Sequence, residues 1–593
     1  MEVKFSSSFL PKYHQLMDVH SFECEKKNPQ TKIKAHSFFS KFHPLKKLIL
    51  PSKQKVMTLN KQPSSKKRIP QGDAKQSSLS TFFKSIDDFI CTFIDLPLHP
   101  SINPELVLSG NFAPVDELPP TVCEVVEGPL PSCLDGAYIR NGPNPQFIPR
   151  GPYHLFDGDG MLHMIKISQG KATFCSRYVK TYKYTVERKM GYPVFPSVFS
   201  SFNGLGASMA RMWLCVSRVL TGQFNPMANG FGLANTSLAL IGGRLFALGE
   251  SDLPYAIKVP SNGDIITLGR HNFFSDEPIM SMSAHPKIDP NTGEAFALRY
   301  HVIPPFLTLF RINSNGKKQP DVPIFSMKNT SLIHDFALTK NYVIFPDTQI
   351  VMDLMEITRG RPPVRVDRAK VPRLAIIPRY AEDENELRWI EAPGFNMMHC
   401  FNAWEEDDGN KIVMVATNIS SVEQALERLD LAELRLEKIT ICVKSNMFER
   451  HPLSTEVLDM GGINPAYVGK KNRYAYVGIV APSMKLVGVV KVDLSLSKAD
   501  SPCYNTVASR LYGQSCSGSE AFFVAREPDN PAAEEDDGYL VAYVHDENTQ
   551  QSMFLVMDAK SPTLEIVSAV KLPGRVPTGF HGLFVKESDI NKL

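Results

Sequence analysis

The feature that most constrains this chain is a succession of short strand-like runs and tight turns, which begins near residue 105 and continues to the end. Four pairs of runs are typical of β-hairpins, because β-branched and aromatic residues flank Gly, Asn or Asp turns: MLHMIKI-SQG-KATFCSRYV, SLALI-GG-RLFAL, AIKVP-SNGD-IITL and FALT-KN-YVIF. Many antiparallel strands without long helices predict an all-β barrel, sandwich or propeller. No repeated dipeptide marks propeller blades, so this pattern leaves the three architectures open.

Charge divides the chain into two regions. Residues 1–72 carry 15 Lys/Arg against 4 Asp/Glu, whereas the remainder carries 50 against 58. The basic segment lacks the compact apolar core of a secretory signal and predicts a transit peptide, and its preference for Lys over Arg favours a plastid. The alternative is a disordered basic tail that binds nucleic acid or stays solvated. The acidic remainder argues against nucleic acid as a partner.

Residues 77–97 are predicted to form an amphipathic helix that ends at Pro97. No window of the chain reaches 18 consecutive apolar residues, so we expect no bilayer-spanning helix. The stripe predicts an in-plane membrane contact, and a helix packed on its own protein core is the alternative. Apolar residues recur there at steps of three and four, as one helix face requires: Leu79, Phe82, Phe83, Ile86, Phe89, Ile90 and Phe93.

Four histidines, His285, His334, His399 and His581, each interrupt a short apolar run. Apolar flanks desolvate the imidazole and favour its neutral form, which leaves a ring nitrogen free for a metal. Four neutral ligands suit iron, copper or zinc. Spacing alone cannot select these four from the chain's 15 histidines, and a lone histidine in an apolar strand is more often a hydrogen-bonded core residue.

Longer motifs decide between these readings. The chain contains RNGPNPQF at Arg140–Phe147, HLFDGDGMLH at His154–His163, NAWEE at Asn402–Glu406 and EEDDGYLVAYVHDE at Glu534–Glu547, with SAHP, SLIHDF and GFHGLFV around three of the histidines. With these motifs in this order, the chain resembles the carotenoid cleavage dioxygenases from about Pro97 to its end. The segments LDMGGINPAYVGKKNRYAYVGI and NMMHCFNAWEE are most similar to the plant type-4 enzymes.

The resemblance implies a fold and a metal. It selects a seven-bladed β-propeller over residues 98–593, with a helical dome over the top face that carries the active-site tunnel. The candidate helix Ala207–Leu220 would lie in that dome. One Fe²⁺ per chain, with dioxygen as co-substrate, would be held by the residues that form the catalytic centre: His285, His334, His399 and His581.

In the resembling family, three acids orient the metal-bound imidazoles by accepting their second N–H. The matching residues here are Glu250, Asp459 and Glu520. Asp459 is one methylene shorter than the glutamate of many relatives, although plant type-1 and type-4 members look similar here. The shorter side chain leaves direct contact open, and a bridging water or a shifted backbone could be required.

The resemblance also implies an apolar substrate tunnel beside the metal. Ordinary core packing is the alternative for each tunnel residue. Candidate lining residues lie next to the ligands in the sequence: Phe336, Met397, Met398, Phe401 and Phe580.

Together these features predict a plastid enzyme at a membrane or plastoglobule surface. It would cleave one double bond of a carotenoid or apocarotenoid, at 9,10 or 9′,10′, and give aldehyde and ketone products. One alternative is an iron-dependent retinoid or carotenoid isomerase on the same fold. The other is a non-catalytic propeller that binds carotenoid or a partner protein.

Overall fold

Antiparallel β-sheet dominates the fold, as the hairpin pattern predicts. The structure is a computed structural model that describes residues 78–197, 200, 203–276, 280–427, 433–496 and 505–592. The predicted basic tail at residues 1–72 and Ser77 at the start of the predicted helix lie outside the described residues.

The first sheet joins the two ends of the described chain. Its C-terminal strand pairs antiparallel with Gly136–Pro143, and Arg140 lies opposite Gly582 in that register. The strands follow one another across the sheet in the order Leu118–Val122, Lys171–Tyr178, Gly160–Ser168, Gly136–Pro143 and Gly582–Lys586.

Four further sheets each consist of four antiparallel strands, which pair side by side in the order in which they occur in the chain. A small two-stranded sheet, Ile350–Met352 with Val364–Val366, is inserted in the third of them. The four sheets comprise Ser237–Ile241, Arg244–Leu248, Tyr255–Lys258 and Ile266–Arg270; Lys287–Ile288, Ala295–Tyr300, Leu307–Ile312 and Val322–Ile324; Ala337–Leu338, Tyr342–Asp347, Arg373–Pro378 and Arg388–Glu391; and Met397–Glu406, Lys411–Ile419, Leu434–Cys442 and Met447–Pro452.

The remaining strands form one ten-stranded sheet. The short strand Cys516–Gly518 joins its two halves by pairing with a strand of each. The first half contains Leu458–Gly462, Tyr474–Ala481, Lys485–Asp493 and Thr506–Leu511, and the second contains Phe522–Ala525, Gly538–Asp546, Gln551–Asp558, Ile566–Lys571 and Glu124–Glu127.

All four predicted hairpins are confirmed. Gly160–Ser168 pairs with Lys171–Tyr178, and Ser237–Ile241 pairs with Arg244–Leu248. The other two hairpins join Tyr255–Lys258 to Ile266–Arg270 and Ala337–Leu338 to Tyr342–Asp347.

The core lies between neighbouring sheets, because successive strand residues point to opposite faces. One buried cluster joins Ile139 and Met164 of the first sheet to Leu245 and Ile257 of the next. Removing these apolar side chains from water stabilises the packing of one sheet on the next.

Helices are few and lie at the margins of the sheets. The first, Ser78–Phe89, continues as the π-helical turn Ile90–Ile94. The predicted helix at Ala207–Leu220 is confirmed, with observed bounds Leu205–Leu220. The other α-helices are Pro104–Val107, Tyr182–Met190, Pro226–Asn229, Val422–Glu427 and Glu587–Ile590, and short 3-10 turns occur at Pro100–Ile102, Gly110–Phe112, Ser132–Leu134, Leu155–Asp157, Leu354–Arg359, Asp407–Gly409, Pro465–Tyr467 and Pro482–Met484.

The N-terminal helix Ser78–Phe89 and its π-helical turn divide the predicted apolar stripe between two environments. Phe83 and Ile90 are buried, and with Ile86 they pack against Ala207 and Leu214 of the long helix Leu205–Leu220. For these three residues the packing on the protein's own core is therefore the correct interpretation. The other four residues of the stripe point outward: Leu79, Phe82, Phe89 and Phe93.

Candidate metal centre

The four predicted histidines meet at one point, although four different sheets supply them. Each lies near the start of an edge strand of its sheet: His285 and His334 shortly before the strand, His399 at its third residue and His581 directly before it. Ligand nitrogens of the four rings all lie within 4.8 Å of one another. The Nε2 atom of His334 lies 3.1 Å from Nε2 of His285 and 3.2 Å from Nε2 of His399.

The geometry of these rings fits a metal ion. Two nitrogens bound to one metal at about 2.1 Å, at octahedral or tetrahedral angles, lie roughly 3.0 to 3.4 Å apart. The Nε2 separations of 3.1 and 3.2 Å fall in that range. An all-nitrogen donor set suits a first-row transition metal rather than Ca²⁺ or Mg²⁺, which prefer oxygen ligands.

Glu250 orients His334. Its Oε1 hydrogen-bonds His334 Nδ1, and the Tyr300 hydroxyl donates to Oε2 at 2.6 Å. Glu250 follows Arg244–Leu248, and Tyr300 ends Ala295–Tyr300 in the next sheet along the chain, so these contacts join His334 to two other sheets. Because Glu250 accepts the Nδ1 proton, the Nε2 lone pair is free for a metal.

Asp459 orients His399 directly. Its Oδ1 lies 2.8 Å from His399 Nδ1 and also accepts a 2.8 Å hydrogen bond from the Thr417 hydroxyl. The sequence left direct contact open, with a bridging water or a shifted backbone as the two possibilities, and the contact is direct. The strand containing Asp459 has a β-bulge, with Met460 in the left-handed region at φ 54°, and such a bulge re-aims the neighbouring side chain.

Glu520 orients His581. Its Oε1 lies 3.1 Å from His581 Nδ1, and its Oε2 accepts a 3.1 Å hydrogen bond from the Gly582 amide. The three acids thus pair with three of the four rings. In the part of the chain that the structure describes, His285 has no carboxylate partner.

These contacts fix the charge state of the centre. Burial, reinforced by the neighbouring imidazoles, holds the pKa of His285 well below its usual value and keeps the ring neutral. Burial is the largest single influence on the pKa of His334, and it lowers that pKa. The charge and hydrogen bond of Glu250 act in the opposite direction, and the pKa of His334 lies above its usual value. Burial raises the pKa of Asp459, yet His399 and Thr417 bring it below the ordinary range. The acids therefore favour positive charge among the rings, which a metal cation can supply.

The candidate tunnel residues are not brought together as a group. Phe336, Met397 and Phe401 are buried in three separate apolar clusters between sheets. Met398 is partly buried near the Ile350 cluster, and the ring of Phe580 lies edge-on to Phe156, with centroids 5.6 Å apart. A role in the tunnel stays a prediction for all five.

Some residues at this centre were not identified from the sequence. Tyr300 and Thr417 contact the orienting acids, yet they come from middle strands with no motif around them. Only the pairing of strands places them at the centre, so no local signal could have found them.

Comparison with known proteins agrees with this geometry. The family model described as RPE65, retinal pigment epithelial membrane protein, matches residues 112–586. The chain belongs to the RPE65/carotenoid oxygenase family.

Two curated relatives and one solved structure show the extent of the similarity. The chloroplastic probable carotenoid cleavage dioxygenase 4 of Arabidopsis thaliana is 60% identical, over 87% of this chain and 86% of its own. The carotenoid 9,10(9′,10′)-cleavage dioxygenase 1 of the same plant is 38% identical, over 84% and 91%. The Synechocystis apocarotenoid oxygenase, solved as a Glu150Asp mutant, superposes with a TM-score of 0.68 at 25% identity, covering 82% of this chain and 99% of its own.

Proposed function

We propose that this protein is an iron(II)-dependent dioxygenase that cleaves a carotenoid or apocarotenoid double bond. The observation that carries the proposal is the convergence of four imidazole nitrogens, three of them on rings held by carboxylates. Membership of the carotenoid oxygenase family supports oxidative carotenoid cleavage as the reaction. Both atoms of O₂ would enter the products, so that one C=C bond becomes two C=O groups.

We infer that the sheets form a seven-bladed propeller. The described strands can be divided into seven groups of four or five antiparallel neighbours: the first sheet, the four four-stranded sheets and the two halves of the ten-stranded sheet. The pairing of Gly582–Lys586 with Gly136–Pro143 would close the ring. The helices Ser78–Phe89 and Leu205–Leu220 would belong to a dome above it.

The residues of the centre would do three things for the reaction. His285, His334, His399 and His581 would hold iron(II), which when bound supplies the site for O₂ activation beside the alkene. The three acids keep Nδ1 protonated on their rings, so that Nε2 faces the metal. Four neutral ligands would leave the metal its full positive charge, and the apolar surroundings would limit the access of water to the site.

The double bond at 9,10 or 9′,10′ is our proposed target. Support comes from the resemblance of NMMHCFNAWEE to type-4 enzymes and from the similarity to a 9,10(9′,10′)-cleavage enzyme. Cleavage there would give an aldehyde from one side of the bond and a ketone, such as a C13 ionone, from the other.

We further propose that the enzyme works in a plastid, at a membrane or plastoglobule surface. The basic residues 1–72 and the chloroplastic name of the Arabidopsis relative support the compartment. No helix of the described residues is long and apolar enough to cross a membrane.

An exposed apolar face supports a lipid surface as the partner. On the long helix the exposed apolar residues recur at steps of three and four, so they share one face. The adjacent turn Leu354–Arg359 adds two exposed apolar residues, Leu354 and Met355. The exposed apolar face consists of Leu79, Phe82, Phe89 and Phe93 with Leu205, Met209, Met212, Trp213, Val216, Leu220, Leu354 and Met355.

The test is product analysis on iron-reconstituted protein under ¹⁸O₂. A panel of carotenes, xanthophylls and apocarotenals should yield shorter aldehydes and ketones labelled at both new oxygens. An isomer of unchanged length would instead support the isomerase alternative. Pigment retained unaltered, without O₂ consumption, would support the carotenoid-binding alternative, and either outcome contradicts the proposed reaction.

A further inference from the structure

A buried polar network connects three of the histidine-bearing strands. Lys287 follows His285 by two residues, Asp335 follows His334 directly, and Cys400 follows His399 directly. Lys287 Nζ lies 2.7 Å from Asp335 Oδ1 and donates at 3.1 Å to the carbonyl of Cys400. The Cys400 amide donates at 2.7 Å to Asp335 Oδ2.

The network links three neighbouring sheets at the level of the ligands. Lys287, Asp335 and Cys400 each belong to the first-strand region of a different sheet. Asp335 Oδ1 also accepts a 2.7 Å hydrogen bond from the Phe336 amide, which fixes its own backbone. The Asp335 carboxylate thus restrains its own backbone. It also restrains the first strand of the next sheet, through Cys400, and the first strand of the previous sheet, through Lys287.

Stability alone does not explain a charged pair at this position. The Asp335 side chain is 3% exposed and that of Lys287 is 18% exposed. Removing two such charges from water costs free energy that their attraction does not always repay, and apolar residues of similar volume often stabilise a core equally well. A buried pair with directional hydrogen bonds does, however, specify one relative placement of the strands that carry it.

We propose that Lys287 and Asp335 are positioning residues that set the separation of His285, His334 and His399. For tight binding, metal ligands must be held within roughly 0.5 Å of the positions that the coordination geometry requires. The hydrogen bonds of the network act one or two residues from the ligands, so a shift of any of these three strands is transmitted directly to a ring. This inference rests on the proposed role of the four histidines as metal ligands.

The network predicts that removing the charge of Asp335 weakens metal binding more than removing the charge of Lys287. Asp335→Asn leaves the Lys287 ammonium without its counter-charge close to a bound dication, so both geometry and repulsion weaken metal binding. Lys287→Met leaves Asp335 with two backbone donors and removes a cation, so its effect should be smaller. The double variant Lys287→Met/Asp335→Asn should recover part of the loss, because no unpaired ammonium remains.

The experiment is a titration of the full chain with Co²⁺, read by its d–d absorption, which reports affinity and coordination geometry together. We expect Asp335→Asn to raise the dissociation constant by about 10 to 100-fold, and Lys287→Met to raise it several-fold, each with shifted d–d bands. Circular dichroism and the melting temperature of the metal-free proteins report folding separately.

A matched control is available in another buried pair. Lys491 and Asp536 form an ion pair at 2.5 Å, with side chains 6% and 14% exposed, in the ten-stranded sheet and its EEDD loop. Asp536→Asn should lower the melting temperature but leave the Co²⁺ dissociation constant and spectrum unchanged. A purely structural role for Asp335 predicts the same behaviour for both variants.

The possible failures are distinguishable. If the wild-type chain fails to bind Co²⁺, the metal centre itself is wrong and the inference falls with it. The wild type could bind Co²⁺ while the folded variants Lys287→Met and Asp335→Asn bind it with the wild-type affinity and d–d spectrum. That result would overturn the positioning role alone. Should Asp335→Asn fail to fold, Lys287→Met decides, because Asp335 keeps its backbone hydrogen bonds in that variant.

Discussion

At the scale of the residue, the centre depends on the second nitrogen of each ring. A carboxylate at Nδ1 determines which tautomer is present and where Nε2 points. Glu250, Asp459 and Glu520 do this for His334, His399 and His581, and Asp459 does so without the methylene found in many relatives. The proposed metal centre therefore comprises seven side chains, the four histidines and these three acids.

His399→Ala is expected to abolish tight metal binding and turnover, because it removes one of four ligands and, of the hydrogen bonds from His399 and Thr417, leaves the buried Asp459 only the one from Thr417. Purified wild-type protein should contain about one iron per chain. Elemental analysis and an oxygen-consumption assay measure both quantities. Full activity in wild-type protein whose iron has been removed to background would contradict the assignment.

Asp459→Glu is expected to weaken metal binding by roughly tenfold. Asp459 is 2% exposed and already contacts both His399 and Thr417, so an added methylene overpacks the site and displaces the ring. Metal competition titration gives the affinity. Unchanged or improved iron retention would mean that the site tolerates the longer side chain found in many relatives.

At the scale of the element, side chains of the long motifs hydrogen-bond backbone groups of other segments of the chain. The side-chain amide of Asn402 in NAWEE donates to the carbonyls of Tyr467 and Lys470, at 3.0 and 2.8 Å, in the connection between Leu458–Gly462 and Tyr474–Ala481 of the next sheet. In the EEDD motif, Glu535 accepts hydrogen bonds from the backbone amides of Arg473 and Tyr474, both at 2.7 Å. These residues are polar and buried or partly buried because they satisfy backbone groups where sheets meet.

The N-terminal helix allows a test of the lipid surface. Phe82→Asp with Phe89→Asp should release the protein from plastid lipid fractions and reduce activity on membrane-embedded carotene, because each buried Phe contributes roughly 1.5 to 3 kcal/mol to insertion. Activity on a detergent-solubilised apocarotenal should persist. Sedimentation with vesicles and assays on both substrates measure these effects.

Two controls separate docking from folding. Val507→Asp with Leu511→Asp changes two exposed apolar residues on a strand far along the chain, and should leave lipid binding intact. Phe83→Asp places a charge in the buried contact with the long helix and should lower the melting temperature. Equal loss on both substrates in the Phe82/Phe89 variant, with a lowered melting temperature, would show that this helix serves only to pack on the core.

At the scale of the whole molecule, the metal would join four sheets that are far apart in sequence. His581 precedes the last strand, whose pairing with Gly136–Pro143 joins the two ends of the described chain. Asn141 strengthens this junction, since its amide and carbonyl hydrogen-bond His581 and Phe580 and its side chain donates to Ala234 and Ser237.

Metal removal should therefore lower global stability. A ligand bound only by the native state stabilises it by about 2.7 kcal/mol at 100 times its dissociation constant. We expect the melting temperature to fall when a chelator removes the metal and to return on addition of Fe²⁺ or Co²⁺ under anaerobic conditions. Scanning calorimetry measures the shift, and His399→Ala should show none.

The all-β class and the hairpins are predictable from the amino-acid sequence, and so are the four histidines and three acids that converge in the structure, because they depend on local patterns and on motifs that can be recognised in linear order. The sequence could not determine which acid pairs with which histidine, that Asp459 reaches His399 directly, or that Phe83 and Ile90 pack inward while Phe82 and Phe89 face outward. Those outcomes depend on strand register, a single β-bulge and helix–helix contact. They become visible only in the folded chain, since they join residues that no local interaction brings together.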